Sequence, residues 1–264
     1  MEIERVLAPN PGPFTGPGTN TYVVASAGRS VVIDPGPIIA SHMAAIEHAV
    51  AESSPLAVLV THTHPDHAPA ANPLASTLGV PALGFAAGPA FDPDERLHHG
   101  EEITVGEATV RVVHTPGHTP DHVCFLAGGV LFTGDHIMGG STVIIEDAAD
   151  YMRSLERVLD LAPERLYPGH GPQIPDATEM VEAYIAHRLL RERQVLAAVM
   201  GGAESVRDIV GVVYADLDES LIPAAVMQVE AQLKKLASED RLEFRPDGAM
   251  GRVVLPPDQE HTAP

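Results

Sequence analysis

The stretch THTHPDH, residues 61–67, follows directly on the apolar run LAVLV. Five apolar residues that stop this abruptly read as a buried strand running into a loop. Three histidines and one aspartate then fall between His62 and His67. Grouped imidazoles with a carboxylate are metal-ligand chemistry, so the fold must carry this strand end to a rim where further ligands can reach it. In an extended segment His62 and His64 stand two residues apart and point to the same side, so both can approach one ion. Asp66 and His67 lie beyond Pro65, open the next helical stretch and point elsewhere. Two ions side by side satisfy both pairs. Imidazole with carboxylate suits zinc, with iron or manganese as alternatives. The expected cofactor is a pair of divalent cations, zinc first.

Four ligands do not complete two sites, so more donors are expected at later strand ends. His118 follows ATVRVV in a proline- and glycine-bounded loop, Asp135 closes VLFTGD, and His170 follows RLYPG. Each lies beside a glycine, which permits close backbone approach. One ion then takes His62, His64 and His118, and the other takes Asp66, His67 and His170. Asp135, with two oxygens, bridges them. Cations ~3.5–4 Å apart lower the pKa of a shared water and hold a hydroxide at neutral pH. Asp66, beside that water, is the expected proton acceptor. The reaction so specified is hydrolysis.

Asp34 closes SVVIDPG, and His114, Asp121, His122 and His136 flank the ligands; all are candidates for hydrogen-bonding partners behind the metal. His42, His48, His98, His99, His187 and His261 read as ordinary surface or core histidines. Cys124, in VCFLA, reads as a small buried hydrophobe.

Up to about residue 175, short apolar runs alternate with turns and helical stretches. TYVVAS and SVVIDPG pair as strands around AGR. IIASHMAAIEHAVAES is a helix, LAVLV a strand, HAPAANPLASTLG a helix and VPALGF a strand. About four strands with glycine turns lead to Asp135, followed by the helix AADYMRSLERVLDL and the short strand RLYPGHG. Two comparable halves of this kind suggest two packed sheets covered by helices. Beyond Asp176 come three helices and a hairpin turning at PDGAMG, the order of a winged-helix module. Its second helix opens with Ser205 and Asp208 in capping-box spacing. The expected domains are 1–175 and 176–264, with PPDQEHTAP as a frayed tail.

Charge narrows the partners. Sixteen basic residues against 36 acidic ones leave a net charge of -20. Such a field repels polyanions and disfavours RNA or DNA. From residue 176 onward, nine basic residues face sixteen acidic ones, which favours a packing or dimer-forming role for that module over DNA binding. No apolar run approaches the ~20 residues of a membrane helix. The opening MEIERVLAPN lacks a signal-peptide pattern, and one cysteine leaves no internal disulfide, pointing to a reducing, cytoplasmic setting.

VVIDPG, THTHPDH, the TPGH at His118, the GD at Asp135 and the GH at His170 together resemble the metallo-beta-lactamase superfamily over residues 20–171. The resemblance implies an α/β fold, the four-layer αββα sandwich, with two metals at one rim held by His62, His64, Asp66, His67, His118, Asp135 and His170. NPGPFTGPGTNTYVV and the C-terminal module are similar to the beta-lactamase-like-2 group, which includes an endoribonuclease acting on single-stranded RNA and many bacterial hydrolases. In that group the Asn20 region lies near the active-site mouth, which makes Asn20 and Thr21 substrate-side candidates. Antibiotic-cleaving members lack the aspartate matching Asp135. Glyoxalase II carries a basic helical region where this chain has a winged helix. The expected activity is metal-dependent hydrolysis of a small ester, thioester, lactone or phosphodiester. The alternatives are cleavage of single-stranded RNA and a winged-helix regulator whose metal site senses.

Overall fold

A computed structural model describes residues 1–139 and 143–255. Part of the loop MGGSTVIIED (140–142) and the tail 256–264, with His261 and the expected fraying, lie outside the described residues. The chain divides into two compact units. The first comprises 1–116, 120–143 and 157–181; the second comprises 117–119, 144–156 and the chain from 182 onward.

In the first unit, one sheet holds β1 (Glu2–Leu7), β2 (Asn20–Ser26), β3 (Arg29–Ile33), β4 (Ser54–Leu59), β5 (Ala82–Gly84) and β6 (Glu95–Arg96), adjacent in that order. β1 to β3 pair antiparallel, and the two-residue turn at Ala27–Gly28 folds β2 directly back on β3. β3 to β6 pair parallel. Here the crossovers carry α1 (Ala40–Ala49) and α2 (Ala71–Leu78); α2 begins later than expected, so Asp66 and His67 lie in the turn before it and do not open it. The second sheet runs β11-β10-β9-β8-β7, with β7 (Glu102–Val105), β8 (Ala108–His114), β9 (Val123–Ala127), β10 (Val130–Gly134) and β11 (Arg165–Pro168). Glycine turns make β7 to β10 a meander. β11 enters parallel to β10 after α3 (Ala148–Leu161).

Ile33, Leu59, Val112, Phe125 and Phe132 fill the space between the sheets. Val32, Val58, Ile46 and Leu74 seal the other face of the first sheet under α1 and α2. Burying such a side chain stabilises the fold by about 1.5–3 kcal/mol. β4 is covered on both faces, which is why LAVLV reads as one continuous apolar run and not as an alternation.

The parallel pairings set the site. β3 and β4 end side by side, presenting Asp34 together with the segment 61–67. β10 and β11 also end side by side, presenting Asp135 together with His170. The pattern of apolar runs did not suggest β1, an edge strand whose EIERVL is mostly solvent-facing, or the two-residue β6 inside FDPDERLHHG.

In the second unit, the end of α4 (Ala177–Met200), α5 (Val206–Val213), α6 (Ile222–Ser238) and the hairpin β12 (Glu243–Arg245) and β13 (Arg252–Val254) enclose a core. Val199, Ile209, Val229, Leu233, Leu236 and Val253 belong to it. Ser205 and Asp208 form the expected capping box, with the Asp208 amide donating to Ser205 Oγ at 3.2 Å and the Ser205 amide to Asp208 Oδ2 at 3.0 Å. Glu192 anchors Lys235 and Arg241 at 2.6 Å each.

Candidate metal centre

Asp34 organises the rim from beneath. It is buried and takes a left-handed φ of 51°. Its Oδ1 accepts the Thr61 amide proton at 2.7 Å, and its Oδ2 accepts from Thr61 Oγ1 at 2.7 Å and from His67 Nδ1 at 2.9 Å. One carboxylate therefore fixes both ends of the histidine-rich segment.

These bonds decide the tautomers. His67 Nδ1 must carry its proton to reach the Asp34 carboxylate, so the lone pair of neutral His67 sits on Nε2. The Thr61 hydroxyl proton is spent on Asp34, so Thr61 Oγ1 accepts from His62 Nδ1 at 3.0 Å, and the His62 lone pair also sits on Nε2. His170 Nδ1 donates to the Gly18 carbonyl at 3.2 Å, and His118 Nδ1 to the Ile144 carbonyl at 2.6 Å. In all four rings the acceptor nitrogen is Nε2.

The Nε2 atoms meet carboxylates and each other. His67 Nε2 lies 3.2 Å from His170 Nε2. Asp135 Oδ1 is 3.3 Å from His67 Nε2 and 3.4 Å from His170 Nε2, while its Oδ2 faces His62 Nε2 at 4.0 Å. Asp66 Oδ2 lies 3.1 Å from His170 Nε2 and 3.7 Å from His67 Nε2. Asp66, His67 and His170 thus offer ligand atoms within 4.8 Å of one another, and so do His62, His64, His118 and Asp135. Two lone pairs facing at 3.2 Å, ringed by carboxylate oxygens, repel unless a positive charge lies among them. Protons or divalent cations meet that need, and nitrogen with carboxylate oxygen suits zinc, iron or manganese. The donor set fits a pair of cations.

Without a cation the cluster holds protons. Burial disfavours a charged His67, but Asp135 and Asp34 outweigh it and raise its pKa well above the ordinary value. Burial likewise opposes charge on His170, yet the hydrogen bonds it donates to the Asp135 and Asp66 carboxylates push it up to about 9. Burial would raise the two carboxylates; the histidines hold Asp66 below, and Asp135 well below, the usual range. A histidine raised on folding stabilises the metal-free fold fully below its unfolded value of 6.5, and this stabilisation disappears as pH rises toward about 9. Metal takes neutral imidazole. Metal uptake at pH 7 is therefore expected to release protons, with affinity rising between pH 7 and about 9. Calorimetry in buffers of different ionisation heat checks this, and a buffer-independent heat would exclude it.

The flanking residues divide by what they touch. His122 is fully buried; its Nε2 accepts the Asp135 amide proton at 3.2 Å and its Nδ1 donates to Thr115 Oγ1 at 2.9 Å. Asp121 accepts the amide proton of Thr63, between two histidines, at 3.0 Å. His136 is fully buried, its ring 6.0 Å from that of His122. His114 reaches the Pro120 carbonyl at 3.0 Å. Asn20 and Thr21 are buried at 1% and 0% exposure and face protein, not solvent. Asn20 Nδ2 donates to the Pro168 and Gly171 carbonyls at 2.9 Å each, bracketing His170. Thr21 Oγ1 donates to the Asp34 carbonyl at 2.6 Å and meets His42 Nε2 at 2.9 Å. The pattern of apolar runs gave no reason to single out Thr61 or His42; their roles depend on side chains 27 and 21 residues away, the Asp34 carboxylate and the Thr21 hydroxyl.

Comparison with known proteins fits this geometry. The family described as the metallo-beta-lactamase superfamily matches residues 14–170, and the beta-lactamase associated winged helix domain matches residues 205–249. A beta-lactamase-like protein 2 homolog of Drosophila melanogaster is 39% identical over 261 residues, covering 91% of this chain and 89% of the relative. An atrochrysone carboxyl ACP thioesterase of Aspergillus chevalieri is 34% identical over 278 residues, covering 96% of this chain and 86% of the relative. A solved beta-lactamase domain protein from Burkholderia ambifaria superposes with a TM-score of 0.82 at 23% identity, over 96% of this chain and 91% of that one.

Proposed function

Because the chain belongs to the metallo-beta-lactamase superfamily and carries its associated winged helix domain, we propose that it is a hydrolase using two divalent cations, zinc first, on a small ester or thioester. Lactones and phosphodiesters are within the same chemistry. The observation that carries this reading is the opposition of His67 Nε2 and His170 Nε2 at 3.2 Å, each with its Nδ1 already committed. The proposed ligands are His62, His64 and His118 for one cation and Asp66, His67 and His170 for the other, with Asp135 shared. Cations bound there supply Lewis acidity and lower the pKa of water at neutral pH.

The residues supply the rest. His122 holds the Asp135 backbone, and Asp34 holds the His67 ring, so neither ligand has to reorganise. Asp66 differs from its neighbours: its side chain is 26% exposed, against 0% for His67 and 5% for His170. Held ionised by those histidines and open to solvent on one side, Asp66 accepts the proton that water gives up and passes it to the departing alcohol or thiol. Water adds to the acyl carbon, and the bond to the leaving oxygen or sulfur breaks. The thioesterase relative supports a thioester as first choice. The net charge of -20 weighs against a polyanionic RNA substrate.

We take residues 1–175 as the hydrolase domain and 176–264 as a winged-helix domain that packs or dimerises, in a cytoplasmic protein. The test combines metal analysis with a screen across ester, thioester, lactone and oligoribonucleotide substrates before and after chelation. Thioester or ester turnover lost on chelation and restored by zinc is expected. Turnover that survives exhaustive chelation would end the proposal.

A further inference from the structure

A basic cluster in the first unit plays no part in the metal centre. Between residues 30 and 152 the chain carries two arginines, Arg96 and Arg111. Arg111 sits on β8, and the same strand ends at His114, whose backbone gathers two more groups. The His114 amide donates to His99 Nδ1 at 3.2 Å, and Arg157 Nη1 donates to the His114 carbonyl. The His114 ring is itself pinned, stacked on Phe85 at 4.1 Å and 7° and bonded to the Pro120 carbonyl.

Arg153, Lys235 and Arg241 all pair with carboxylates. Among the described residues, Arg111 and Arg157 have no carboxylate oxygen within 4.0 Å. This holds although Glu102 stands opposite Arg111 in the strand register and Glu101 binds the nearby His98 amide. Both guanidinium groups are felt at His99: after burial, Arg157 and then Arg111 hold it below its ordinary pKa. His99 therefore stays neutral, and because Nδ1 accepts the His114 amide proton, its own proton is on Nε2. His99 and Arg111 are exposed, and Arg157 is half-buried.

We propose that Arg111, Arg157 and His99 bind the phosphate of a phosphate-bearing substrate, as an anionic handle separate from the bond that is cleaved. Two guanidinium groups and one imidazole N–H match a tetrahedral phosphate monoester, which offers two charges and three outer oxygens. In a chain of net charge -20, one isolated basic cluster recruits a single anion and not a long phosphate backbone. That the handle belongs to a substrate rests on the hydrolase reading; the binding site itself does not.

The test uses the full chain stripped of metal, so that the histidine-carboxylate centre cannot capture the anion as a metal complex. Inorganic phosphate and phenyl phosphate are titrated while the His99 ring resonances are followed by NMR. Both should give a saturable shift, the ester at least as tightly as free phosphate. R111Q, a surface change that leaves packing alone, should weaken both about tenfold, as should R157K, while the control R29Q should not. No saturable shift, or equal affinity in R111Q, overturns the proposal; so does binding of inorganic phosphate alone. Tighter binding of a single-stranded oligonucleotide, with a salt dependence of several phosphates lost in R111Q, overturns it in favour of nucleic acid. Because hydrolysis is not measured, failure here leaves the hydrolase reading standing, and loss of that reading leaves this titration intact.

Discussion

Asp34→Ala is expected to empty the cation site built on His67 and to destabilise the protein by several kcal/mol. The substitution strands three buried donors at once: the Thr61 amide, the Thr61 hydroxyl and His67 Nδ1–H. Removing one partner of a buried charged network costs about 3–5 kcal/mol. Alanine must also adopt the φ of 51° that aspartate tolerates, which adds roughly 1 kcal/mol. Freed from Asp34, His67 can place its proton on Nε2, against the metal. Loss of such an outer partner lowers metal affinity or activity by about 10–100-fold. Asp34→Asn separates the two effects. It keeps the shape and the backbone preference, but its amide NH2 must face either Thr61 or His67, both donors. Stability should fall less than for alanine, and metal affinity by a similar factor. Chelator competition and chemical denaturation on the two variants provide the check. Two cations bound at wild-type affinity in Asp34→Ala would sink the role given to Asp34.

Gly169→Ala is expected to spare the fold and damage the site. A Cβ there would stand 2.6 Å from His67 Cε1, 2.8 Å from Asp135 Oδ1 and 3.1 Å from the Gly134 carbonyl carbon. Gly169 does not use a left-handed φ, so the backbone accepts alanine and the strain falls on the neighbours. Neither neighbour can retreat: Asp34 holds the His67 ring, and His122 holds the Asp135 amide. Overpacking of this kind costs about 1–3 kcal/mol. Displacing two ligands by even part of an ångström is expected to cut turnover about 100-fold. Gly211→Ala on α5, where an added Cβ meets nothing within 4 Å, is the matched control and should leave turnover alone. Equal turnover in the two alanine variants would show that the crowding seen at Gly169 relaxes harmlessly.

Much of this was readable in one dimension, because the relevant forces are local there. Apolar runs of strand length, helical spacing and glycine turns mark β2 to β5 and β7 to β11, and capping spacing marks α5. Edge strand β1 escaped because a strand facing solvent on most of its length has little apolar signal, and β6 because two residues carry none. The basic cluster escaped for a different reason. Arg111, His99 and Arg157 come from a strand, a loop and a helix, and each by itself is an ordinary surface residue.

The sequence by itself determined which atoms could serve as ligands, since imidazole and carboxylate are properties of side chains and THTHPDH holds four of them within one strand end. Only the tertiary structure decided which nitrogen of each ring faces inward. That choice is made by acceptors such as the Gly18 carbonyl, 152 residues from His170, and the Asp34 carboxylate, 33 residues from His67. A backbone carbonyl has the same chemistry at every position, so nothing in the chain's lettering distinguishes the one that folding brings to Nδ1.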